Sequence, residues 1–117
     1  MIPMEPRRPG CAVVEGKRID AVRVRALASA ADRCWAAILA RDLAGFAAAY
    51  RASFEAQVAM FPGMVQPVIA GPDRQSEMPG QAGHDVQSVI DQWSTVPGVL
   101  AYKMPGAGGG GYLACVV

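Results

Sequence analysis

The sequence predicts an α+β domain in which two long antiparallel helices and a shorter helix pack on one face of a small antiparallel sheet. Three observations predict it. Apolar residues recur at helical spacing from Asp20 to Phe61, and a shorter stretch of the same kind runs through "HDVQSVIDQW". Two short apolar runs, "VLAYKM" and "YLACVV", then close the chain on either side of a glycine run and read as paired strands. Helices grouped before strands, with no βαβ alternation, favour an antiparallel sheet with helices on it.

The first segment, residues 1–19, is proline-rich and reads as irregular or strand-forming, with "CAVVEG" as its candidate strand. Asp20 is placed to cap a helix of about 20 residues, with Val24, Leu27, Ala31, Cys34, Trp35 and Ile38 on its apolar side. "RDLAGF" makes a short joint in which Asp42 caps again. Leu43, Phe46, Tyr50, Phe54, Val58 and Phe61 form a second stripe, which Pro62 and Gly63 end. So short a joint makes the two helices antiparallel neighbours whose stripes face a shared surface.

Residues 62–83 carry four prolines and four glycines with no sustained period, and read as an irregular loop. Val86, Val89, Ile90 and Trp93 then share one face of the third helix. Two strands make a poor sheet alone, so a third is expected from the first segment or from a partner. The last apolar run continues to Val117, which reads as a truncated domain with a free strand edge and an expected homo-oligomer.

Composition narrows the class. Apolar residues are 52% of the 117 and charged residues 18%, a balance that suits a folded globule. Eleven Lys and Arg against ten Asp and Glu leave a net charge of +1, with Lys17 and Lys103 the two lysines. Neither nucleic acid nor a membrane is expected as a partner. Cys11, Cys34 and Cys115 are odd in number and widely spaced, which fits a reduced, cytoplasmic setting. The single His84 completes no zinc pattern, and Asp73, Glu77 and Asp85 read as solvated charges.

"KMPGAGGGGY" is the stretch that carries chemistry. Consecutive glycines let backbone N–H groups converge on an anion, because no Cβ blocks the approach. The competing reading is a slack hairpin tip. The run lacks the Gly-Lys-Ser/Thr ending of a P-loop, and it leads into a strand where a dinucleotide fingerprint opens a helix.

In full, the run is Lys103, Met104, Pro105, Gly106, Ala107, Gly108, Gly109, Gly110, Gly111 and then "YLACVV". It resembles the third signature of the GHMP kinases, the family of galactokinase, homoserine kinase and mevalonate kinase. The order of two long helices, a connecting segment, a shorter helix and the glycine loop is similar to that family's C-terminal domain. The likeness covers residues 20–117, and "ADRCWAAILARDLAGFAAAYRASFEAQ" resembles its sugar and sugar-phosphate branch. The resemblance implies a ferredoxin-like, substrate-side domain whose Lys103 and Gly106 to Gly111, with Ala107, contact substrate or phosphate. It implies ATP and magnesium for the complete enzyme, with neither held tightly by this chain.

Three departures qualify what carries over. Pro105 stands where the family has Ser or Thr, so a hydroxyl and an N–H are missing. Gly71, Pro72, Pro79 and Gly80 interrupt a segment that is helical in the family. The N-terminal domain, with its Pro-x-x-x-Gly-Leu-Gly-Ser-Ser loop and its carboxylates, has no counterpart in these residues. The isolated chain is therefore expected to be inactive, with no catalytic residue carried over, and to partner a separate kinase domain or another copy. The alternatives are a stand-alone binding or oligomerisation module that keeps the fold without catalysis, and a purely structural assembly module.

Overall fold

A computed structural model describes residues 1–3, 16–65, 86–105 and 112–117. In chain order they form β1 (Ile2–Pro3), α1 (Ala21–Leu39), α2 (Leu43–Met60), a 3-10 turn (Pro62–Met64), α3 (Val86–Ser94), β2 (Ala101–Lys103) and β3 (Tyr112–Val116). The class is α+β, with helices and an antiparallel sheet. "CAVVEG" as far as Glu15, residues 66–83, and His84 with the acids Asp73, Glu77 and Asp85 lie outside the described residues.

Both long helices begin where a carboxylate can cap them. Asp20 accepts the Arg23 amide at 2.8 Å, and its side chain also pairs with the Arg23 guanidinium. The amide bond, more than the guanidinium, holds the Asp20 carboxyl below its ordinary range. Asp42 accepts the Gly45 amide at 2.9 Å. Between the helices, Arg41 takes a left-handed conformation at φ 54°. That reversal turns the Arg41 and Asp42 amides back onto the carbonyls of Ile38 and Ala37, at 3.1 and 2.9 Å. Asp42 thus closes one helix and opens the next. The antiparallel pairing is visible at the far end, where the Arg18 amide meets the Met60 carbonyl at 2.8 Å.

The stripe expected on α1 is not the side it buries. Ala30 and Ala37 are buried and Leu27 and Cys34 half-buried, whereas Val24, Ala31, Trp35 and Ile38 are exposed. Alanine explains the rotation, because small side chains let two helix backbones approach closely. The contact with α2 therefore follows the smallest side chains and leaves the largest outside. The stripe on α2 is buried in part. Leu43 is exposed, but Phe54 is buried in the core, and Val58 and Phe61 pack against it.

β3 is the middle strand, with β1 and β2 antiparallel on its two sides. The third strand comes from the first segment, through Ile2 and Pro3, so the last strand does not lack a neighbour as expected. Pro3 is tolerated because an edge strand can spare an N–H. Register places Tyr102 opposite Cys115 and Lys103 opposite Ala114. One face of the sheet supplies Met104 and Leu113, both without solvent exposure, to a core with Phe54, Met64, Val89 and Ile90. Ile2, Trp93, Tyr102 and Cys115 pack around it. Burying side chains of this size contributes about 1.5–3 kcal/mol each. Helices α2 and α3 make the main helix contacts with the sheet, at β2, while α1 packs chiefly on α2. Among the described residues no helix is long and apolar enough to cross a membrane.

Candidate functional site

Lys103 is the last residue of β2 and stands three positions before Gly106. The other expected site residues, Gly106, Ala107, Gly108, Gly109, Gly110 and Gly111, lie outside the described residues. Their two flanks are described. Because β2 and β3 are paired antiparallel neighbours, the glycine run connects the ends of adjacent strands.

The Lys103 side chain turns toward α2. Its Nζ donates to Ser53 Oγ at 3.0 Å, and Ser53 Oγ in turn donates to the Tyr50 carbonyl at 2.7 Å. The ammonium also lies 5.8 Å from the centre of the Tyr50 ring, within reach of its negative face. Ser53 is buried, so its hydroxyl needs both partners; the backbone carbonyl and the lysine satisfy it together. An ammonium has three donors. Ser53 occupies one and the ring face attracts the group as a whole, so Lys103 retains donors for an anion.

A second cation comes from α2 itself. The Arg51 guanidinium lies 5.4 Å from the centre of the Tyr102 ring and bonds Glu55 at 3.3 Å. Tyr102 meets Phe54 edge to face, with centroids 6.1 Å apart, and Tyr50 stacks on Phe46 at 5.5 Å. Consecutive residues of α2 thereby hold consecutive residues of β2, fixing the end of the strand that enters the glycine run. Burial pushes the Tyr50 hydroxyl above its ordinary pKa, with smaller contributions from Cys115 and Cys34. Burial likewise raises the Cys115 thiol. Both groups stay neutral at physiological pH, so the charges of the cluster are those of Lys103 and of the Arg51–Glu55 ion pair.

Sequence reading found Lys103 through its place before the glycines, and missed Ser53, Arg51 and Tyr102. A signal for Ser53 was present: it lies three residues after Tyr50 and seven after Phe46, inside the apolar stripe of α2. A serine at such a position is buried and needs a partner from elsewhere in the fold. Arg51 and Tyr102 carried no comparable mark. Among the described residues, no three His, Cys, Asp or Glu side chains come together as metal ligands.

No family model, curated protein or solved structure matches the chain.

Proposed function

We propose that this chain is the C-terminal, substrate-side domain of a GHMP-type kinase, which transfers the γ-phosphate of ATP to a hydroxyl of a sugar or sugar phosphate. The observation that carries the reading is the joint occurrence of the Lys103-to-Gly111 signature and its setting. Three helices precede it in the expected order, and two adjacent antiparallel strands flank it. In this reading the domain is of the ferredoxin-like kind. The amides of residues 106–111 face substrate or phosphate, and Lys103 supplies a positive charge positioned by Ser53.

In this reading the metal and the nucleotide phosphates belong to the kinase's other domain. No chemical step is derived through them. Phosphoryl transfer needs that half as well, and the chain by itself binds without turning over. The alternative of an oligomerisation module draws support from a different observation, the exposed apolar residues of α1.

The test is amide chemical-shift mapping during titration with phosphate, ATP and sugar phosphates, alongside a coupled assay of ATP turnover. Shifts centred on residues 103–111, with a dissociation constant on the order of millimolar, are expected in the wild type and lost in Gly108→Val. The coupled assay stays at background. Absence of shifts with every anion would leave the slack hairpin tip as the better account, and turnover abolished by Gly108→Val would overturn the inactivity of the isolated chain.

A further inference from the structure

The exposed residues of α1 are not scattered. Val24, Ala28, Ala31, Trp35 and Ile38 are spaced by four, three, four and three residues, all outside, with Trp35 61% and Ile38 51% exposed. That is the period of a helix-pairing seam. It runs beside the alanine-rich side buried on α2, so α1 has a second face of packing character with nothing on it among the described residues. We propose that this face pairs with α1 of a second copy of the chain, the two helices running antiparallel about a two-fold axis near Ser29 and Ala30.

Size and charge both select that occupant. With the axis there, Trp35 of one copy meets Val24 of the other, Ile38 meets Ala21, and Ala28 meets Ala31. Each large side chain thus faces a smaller one, and the centre is alanine on alanine, which permits close approach. A two-fold contact must be self-complementary in this way. Along one side of the seam run Arg25 and Asp32, both exposed and neither with an ion-pair partner among the described residues. The same axis brings Arg25 of each copy to Asp32 of the other. Two reciprocal ion pairs then line that side of the apolar contact, whereas a parallel two-fold pair would put Arg25 and Asp32 of the two copies on opposite flanks of the seam, out of each other's reach. Leu39 and Leu43, exposed at the joint between α1 and α2, widen the apolar surface at each end.

This proposal is independent of the kinase reading, because it uses no residue of the glycine run or its cluster. Sedimentation velocity over a concentration series of the 117-residue chain is expected to show a monomer–dimer equilibrium. Trp35→Glu should abolish the dimer, with the circular dichroism spectrum unchanged because the site is exposed. The sharper test uses charge. Arg25→Asp and Asp32→Arg should each weaken dimerisation roughly tenfold by setting like charges together, and the double variant should restore it. A monomer at all concentrations overturns the proposal and leaves the face to a different partner. A dimer indifferent to Trp35→Glu, or single charge variants that the double variant fails to rescue, overturns it as well.

Discussion

Lys103 and Ser53, fifty residues apart in sequence, are joined by a 3.0 Å hydrogen bond that ties the end of β2 to the middle of α2. Because Ser53 is buried and also donates to the Tyr50 carbonyl, the lysine completes the partners of a hydroxyl with little access to water.

The two side chains should therefore be energetically coupled. Ser53→Ala and Lys103→Met are each expected to cost about 1 kcal/mol in urea unfolding, and the double variant less than their sum by about 0.5–1 kcal/mol. The residual coupling measures how firmly α2 holds the residue that leads into the glycine run. Strict additivity would mean that the bond holds nothing.

The joint between α1 and α2 makes a prediction of opposite sign. Arg41 adopts φ 54°, a conformation that costs a non-glycine residue about 1 kcal/mol or more. Glycine relieves that cost but loses more entropy on folding, so Arg41→Gly is expected to stabilise the chain by a net of about 0.5 kcal/mol. Arg41→Val should destabilise it by about 1–2 kcal/mol, since a β-branched side chain tolerates this region least. A shift in thermal midpoint in the same direction for both variants would refute the assignment.

How much of this was legible in the sequence differs between elements, for physical reasons. Both capping aspartates, the ends of the two long helices and the paired strands around the glycines were readable, because each depends on local chemistry within a few residues. The core face of α3 was readable too, since Val89, Ile90 and Trp93 leave a short helix little choice. The buried side of α1 was not. Its apolar residues cover more than half of the helix surface, and periodicity cannot say which part meets α2 when the contact is made by alanines. Expecting the largest residues inside set Trp35 and Ile38 in the core, and both are outside. For the candidate site, Lys103 was legible from its motif, while Ser53 and Arg51 enter only because α2 packs on β2, a contact between elements about fifty residues apart.

The last prediction concerns Asp42 and Gly45, whose contact opens α2. The Asp42 carboxylate accepts the Gly45 amide, and a Cβ added at Gly45 would fall on that same carboxylate. Alanine at this helical position is intrinsically better than glycine by up to about 1 kcal/mol. Here it must displace the cap, which costs about 1 kcal/mol. Gly45→Ala is therefore expected to change stability little in the wild type. Asp42→Ala alone should cost about 1 kcal/mol, and in that background Gly45→Ala has nothing to displace and should recover about 0.5–1 kcal/mol. Urea unfolding of the four proteins reads the effect directly as a failure of additivity. Should Gly45→Ala stabilise the wild type as much as it stabilises Asp42→Ala, the carboxylate is not held over Gly45, and the start of α2 is fixed by the turn at Arg41 alone.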